Sequence, residues 1–342
     1  MHARSSNRSR SGQVSPRLII WPILLLITLA AVLFAGRQLM PAPKPKIAFI
    51  TADSTAFWNE VVDGAKQAAD QLDVELHVFQ SDGTLETQER MLAEAMAMAP
   101  DGVAVSPVDA VRQTVTLSTI ARATVLVTVD SDSPSSDRVC FVGADNYDAG
   151  RQCGQMVREA LPEGGRVLIA SGPFDKANGR ERWRGLVDEL LGARFSPSDD
   201  VSAADQEQIG EMFTIAPTLI DQIDPAQATA QIVEALQSGE SFDAIVGLYG
   251  YHPVAIANAV TEAGGDADIK VIGFDAIPET RAAIADGRVF GVIAQDQFNY
   301  GYSSVNMLAN IKRHGAAAAL PIKRMVHLPP IPMTAETLDD AG

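Results

Sequence analysis

At 342 residues the chain is longer than one ordinary hydrophobic core supports, and it suits two domains of about 100–150 residues each. A content of 46 % hydrophobic and 20 % charged residues excludes a disordered chain, and a net charge of −16 argues against nucleic acid or an anionic membrane face as partner. The acidity belongs to the body, because the first 40 residues hold five arginines and no acid.

Residues 1–17 are polar and basic, and Leu18 to Ala35 is an uncharged run of 18 residues. That length sits at the low end for a membrane-spanning helix and above a usual signal-peptide core. The basic flank should stay in the cytoplasm and send the rest outward. No small-residue cleavage site is evident near Gly36, so the run reads as an uncleaved anchor, with a cleaved signal peptide as the alternative. Met40 to Pro45 (MPAPKP) is a semi-rigid tether.

From Lys46 the chain alternates short apolar strands with helices. The strands are expected at 46–50, 74–79, 102–106, 125–129 and 139–142, and the helices at 59–72, 84–99, 110–121 and 147–161. PEGG breaks the last of these, and the alternation restarts with strands at 166–170, 212–217, 243–248, 269–274 and 289–294. The intervening helices are expected at 178–191, 225–237, 253–263 and 278–286, followed by a long helix at 298–313 and a short strand at 323–328. Ala193 to Glu211 reads as an irregular surface excursion. Unbroken apolar strands in this order call for parallel sheets covered on both faces. The fold class is therefore α/β: two Rossmann-like, doubly wound lobes with a cleft between them. The first lobe is expected over 46–143 plus 297–315, the second over 144–296 plus 316–330, and 331–342 as a mobile tail.

Asp275 and Gln295 end two consecutive strands, and ligands of open parallel sheets sit beyond such strand ends. A carboxylate and an amide hold hydroxyls without transforming them, so the first expectation is a small polar ligand that is bound. Asp130 ends a strand in the other half. Phe57 and Trp58, at a strand-to-helix turn, either plug the core or stack on an apolar ligand face. Thr51 and Ser106, small hydroxyl residues at strand ends, are further candidate ligand contacts. His252 beside Pro253 is a structural residue at a helix start. Cys140, on a strand, and Cys153, two turns into the next helix, should be too far apart to bridge. No spacing suggests a metal, and the first turn, TADSTAF, lacks the glycines of a dinucleotide cradle. No cofactor is expected.

The ordered motifs IAFIT…FW, VAVSPVD, VTVDSDS, VGADNYDAGR, NGRERWRGL, GLYGYHPVAIANAV, VIGFD and IAQDQFNYGY resemble the ribose-type periplasmic sugar-binding proteins, over about Lys46 to Leu328. That family is related to the ligand-binding half of lactose-repressor-type regulators. The resemblance implies two lobes joined by three crossovers that close on a sugar. It assigns sugar contacts to Asp130, Asp275, the Phe57–Trp58 pair, Arg180 and Gln295. The sequence departs from the family where Ser131 replaces an arginine and where Tyr251, with Tyr249 nearby, replaces an asparagine; Tyr251 is expected to contact the ligand from the second lobe.

The function expected is an extracytoplasmic solute-binding protein that captures a monosaccharide by hinge closure and delivers it to an ABC transporter permease. It would be no enzyme, since no acid–base pair or activated nucleophile is evident, and the resemblance implies a monomer. An anchored sensor signalling to a chemoreceptor or histidine kinase is the alternative.

Overall fold

The computed structural model describes residues 28–29, 43–174, 176–193, 200–264 and 268–338. Apart from Thr28 and Leu29, the expected membrane segment lies outside these residues. Among the described residues no helix is long and apolar enough to cross a membrane.

The first lobe starts with β1 (Lys46–Ile50), α1 (Ala56–Gln71), β2 (Glu75–Phe79), α2 (Leu85–Ala97) and β3 (Gly102–Val105). It continues with α3 (Thr114–Ala123), β4 (Val125–Val129) and β5 (Cys140–Gly143). The second opens with α4 (Asn146–Ala160), β6 (Gly165–Ser171) and α5 (Ala177–Leu191), then the short β7 (Gln208–Ile209), β8 (Phe213–Ile215) and β9 (Leu219–Ile220). After these come α6 (Pro225–Gln237), β10 (Ala244–Gly247), α7 (His252–Glu262), β11 (Lys270–Phe274), α8 (Pro278–Ala285) and β12 (Gly291–Ala294). The chain then makes α9 (Gln297–His314), α10 (Ala316–Ala319), β13 (Met325–His327) and β14 (Ile331–Thr334).

Two sheets result. One has the order β13-β5-β4-β3-β1-β2 with every pair parallel, and the other runs β14-β12-β11-β10-β6-β8-β7, with β9 also on β6. Each central strand is a fully buried apolar run, as in GVAV of β3 and AIVG of β10, because helices cover both faces. Ile47, Phe49 and Val127 pack under α1 and α9 on one face of the first sheet, and Ile50, Val103 and Leu126 under α2 and α3 on the other. Glycines let the inner helices touch backbone to backbone. A Cβ on Gly64 or Gly301 would lie 1.9 or 1.8 Å from a carbonyl oxygen of the partner helix, which brings α1 against α9. Gly150 and Gly185 do the same for α4 and α5, at 2.2 and 2.0 Å.

The chain passes between lobes after β5, after β12 and between β13 and β14. The last crossing corrects two expectations. Residues 316–330 do not belong wholly to the second lobe, because Met325–His327 pairs with β5 of the first. Nor is the chain loose from residue 331, since Ile331–Thr334 pairs antiparallel with β12 and buries Met333. The expected helix at 110–121 also starts later, at Thr114. Gln113 accepts the Asp109 N–H through its side chain, which holds 109–113 as a turn.

Candidate functional site

In both sheets the strand order changes direction beside the first strand of the lobe, and the carboxyl ends of the strands face the space between lobes. There the chain forms a cavity of about 300 Å³. From the first lobe come the turn after β1 with Asp53, the α1 start with Phe57 and Trp58, Ser106 after β3, and Asp130–Ser131 after β4. The second lobe supplies Lys176, Asn178 and Arg182 at the start of α5, Ile223 before α6, Tyr249–Tyr251 after β10, and Asp275 with Ile277 after β11. Gln295 enters from the crossover after β12.

Asp275 is 6 % exposed. Gln295 Nε2 donates to Asp275 Oδ1 (2.6 Å), and Tyr300 Oη donates to Gln295 Oε1 (3.1 Å), so the amide is oriented by one group from each lobe. A Cβ on Gly250 would lie 2.7 Å from Asp275 Oδ2, so the bare backbone there leaves room for the carboxylate. Burial pushes the Asp275 carboxyl up, against the opposing pull of Arg182 and the Gln295 hydrogen bond. Burial likewise raises Asp130, to about 7, with Arg182 opposing and the Asp275 charge reinforcing.

Arg182 is the central cation. It is 2 % exposed, donates from Nε to Asn146 Oδ1 and from Nη1 to the Leu248 carbonyl (both 2.9 Å), and stacks its guanidinium 4.4 Å over the Phe274 ring. Those contacts fix the plane of the fork while leaving its charge against both aspartates.

The aromatic pair serves two purposes. Trp58 is 2 % exposed and belongs to the first-lobe core, while Phe57 packs on that core edge-to-face with Trp58 (5.3 Å, 74°). Both also line the cavity. Ser106, which lines the cavity, has a fully buried Oγ with no hydrogen-bond partner among the described residues.

Phe57, Trp58, Ser106, Asp130, Tyr251, Asp275 and Gln295 are thus brought together, and two expected residues are not. Thr51 turns its hydroxyl to the Asp53 carbonyl (2.7 Å) and accepts from the Ser81 N–H (3.1 Å), which makes it a brace for the loop after β1. Arg180 is replaced by Arg182. Residues two apart on a helix do not share a face, and Arg180 donates to the Phe174 carbonyl outside the cleft. Asn178 and Arg182 are four apart and do share one; that spacing was the available signal.

His252 is fully buried, as is Asp221 at 1 % exposure, and sequence reasoning did not single out the latter. The Tyr249 N–H donates to His252 Nδ1 (3.0 Å), so Nε2 carries the proton and donates to Asp221 Oδ2 (2.8 Å). Burial lowers the His252 pKa. Among the described residues no group of histidines, cysteines or carboxylates is spaced to hold a metal ion.

Comparison with known proteins bears on the family and the fold. A family model described as "Periplasmic binding protein domain" matches residues 47–316. The D-allose-binding periplasmic protein of Escherichia coli K12 is 22 % identical over 278 residues, 78 % of this chain and 84 % of that one. The ribose import binding protein of Salmonella typhimurium LT2 is 23 % identical, covering 72 % and 77 %. Among solved structures, the Caulobacter myo-inositol binding protein superposes with a TM-score of 0.75 at 24 % identity, covering 88 % of this chain and 97 % of that one. A solute-binding protein from Burkholderia graminis in complex with D-arabinose gives 0.77 at 21 %, covering 87 % and 98 %. With 270 consecutive residues under one family model and the strand-end site in place, the chain belongs to the periplasmic binding protein family and resembles its ribose-type sugar-binding members.

Proposed function

We propose that this protein captures a neutral monosaccharide-sized polyol outside the cytoplasm, closes its lobes over it, and hands it to an ABC importer. The observation that carries the reading is the convergence of Asp130, Asp275, Gln295 and Arg182 on one cavity of about 300 Å³, each lobe contributing a carboxylate. Carboxylates accept from hydroxyls, Arg182 and the Gln295 amide meet ring and hydroxyl oxygens, and Phe57 offers a flat face to the C–H side of a sugar ring. Arg182 offsets one of the two carboxylate charges and burial disfavours the charged form of both, which suits an uncharged ligand. Contacts from both lobes to one ligand favour the closed arrangement, because only that arrangement makes all of them. The uncharged run at 18–35 would hold the protein at the membrane where the permease lies.

Thermal unfolding of the full chain against pentoses, hexoses and inositols tests this. A ligand present at 100 times its dissociation constant stabilises by about 2.7 kcal/mol, and that shift should disappear in Asp275→Ala. If folded protein shows no saturable shift with any neutral polyol, the reading fails.

A further inference from the structure

Part of the second lobe's side of the cleft, beside Lys176, Asn178, Arg182 and Asp275, is hydrocarbon from Ile223, Tyr249 and Tyr251, and a buried network holds it that way. Ile223 has φ +61°, a conformation that a β-branched residue adopts only under constraint. The constraint is Asp221. Its Oδ1 accepts from the Ile223 N–H (2.8 Å) and from the Tyr251 hydroxyl (2.5 Å), and its Oδ2 accepts from His252 Nε2 (2.8 Å). One carboxylate thereby turns the Ile223 side chain into the cavity and turns the Tyr251 hydroxyl out of it. The Tyr251 phenol is committed to Asp221, so the cleft receives its ring, stacked with that of Tyr249 at 6.1 Å and 28°. Gly172 lies beneath: a Cβ there would meet Tyr249 Cε2 at 3.1 Å and Ile223 Cγ1 at 3.2 Å, so both side chains close over the same bare backbone. A ligand hydroxyl pressed on these carbon surfaces would lose water for little in return, whereas a methyl group would gain contact.

Resting on the capture reading above, we propose that the ligand is a deoxy sugar of the 6-deoxyhexose class. Its hydroxyl-bearing edge meets Asp130, Asp275 and Gln295, and its methyl group packs against Ile223 and the Tyr249–Tyr251 rings. Ile223 is the specificity-determining residue, and Asp221 and His252 are positioning residues that act through it.

Isothermal titration of the full chain with matched pairs tests the assignment: L-rhamnose with L-mannose, L-fucose with L-galactose, and D-fucose with D-galactose, with pentoses and myo-inositol alongside. In at least one pair the deoxy sugar should bind 10-fold or more tighter than its hydroxylated parent and tighter than any pentose or inositol. Ile223→Asn should fold readily, since asparagine tolerates this backbone, and should bring that ratio to within about threefold of unity. A parent hexose, pentose or inositol that binds as tightly as every deoxy sugar overturns the inference while leaving the capture reading intact. A deoxy preference untouched by Ile223→Asn overturns the role of the wall. Folded protein that binds no neutral sugar at all overturns both.

Discussion

Asp130 and Asp275 are structural counterparts in the two lobes. Each follows a central strand, holds a left-handed backbone (φ +61° and +62°), and donates its N–H to a carbonyl of the next strand, Val142 for one and Ile293 for the other. Each therefore departs from the strand direction at the same point and sends its carboxylate into the cleft. Aspartate tolerates this conformation better than most residues, at a cost on the order of 1 kcal/mol. The repeated strain belongs with a repeated task.

The raised pKa of Asp130 makes stability depend on pH in a direction that can be checked. With a folded pKa of about 7 and an ordinary value of 3.8 when unfolded, the folded ligand-free protein holds the extra proton between these limits. Its contribution is fully present below pH 4 and lost as pH rises through 7. Asp130→Asn should therefore raise the melting temperature of ligand-free protein at pH 8, by about 2–4 °C for roughly 1 kcal/mol, and the gain should fade towards pH 4. A difference independent of pH would contradict the burial argument.

Arg182 and Arg180 should separate cleanly. Arg182→Ala leaves the buried Asp275 and the half-buried Asp130 without their cation, and should cost about 2–4 kcal/mol in urea unfolding and abolish detectable sugar binding. Arg180→Ala, outside the cleft, should leave affinity within about threefold by titration. Lysine at 182 should rescue neither property, because it lacks the fork that reaches Asn146 and Leu248 together.

The two thiols lie in different lobes, Cys140 on β5 and Cys153 in α4, both fully buried and free. Burial pushes them to about 11 and about 12. Neither should react with a thiol reagent at pH 8 in native protein, and both should react on unfolding, with no disulfide found by mass spectrometry.

Gly301→Ala would drive a methyl group to 1.8 Å from the Val61 carbonyl, so α1 and α9 would have to separate. Denaturant unfolding should show a loss of about 2–3 kcal/mol or more. The same change at Gly287, a turn where a Cβ meets nothing but φ is +78°, should cost about 1 kcal/mol.

The framework of the molecule was readable because each buried strand is a short apolar run ended by a polar residue. The same feature exposed Asp130, Asp275 and Gln295, whose positions follow from strand ends alone. Arg182 was not readable in that way. Three arginines share one turn and a half of α5, and choosing among them needs the phase of the helix, which its packing on α4 sets through Gly150 and Gly185. Asp221 and Ile223 sit in a loop without periodicity, and their importance lies in partners 30 residues away. Thr51 looked like Ser106 in sequence, yet a neighbouring loop takes up its hydroxyl. The closing strand β14 was missed because IPMT begins after two prolines and has no alternation to show.

That closing strand has a further consequence. Without it, β12 would present a row of unpaired N–H and C=O groups to solvent, an open template on which another chain could add a strand. β14 covers that row antiparallel from Gly291 to Ala294, with Pro332 opposite Ile293. The strand at 331–334 thus acts as a guard against self-association on the edge of the second sheet. A chain shortened at residue 330 would keep its whole binding cleft and be prone to aggregate through an uncovered flank.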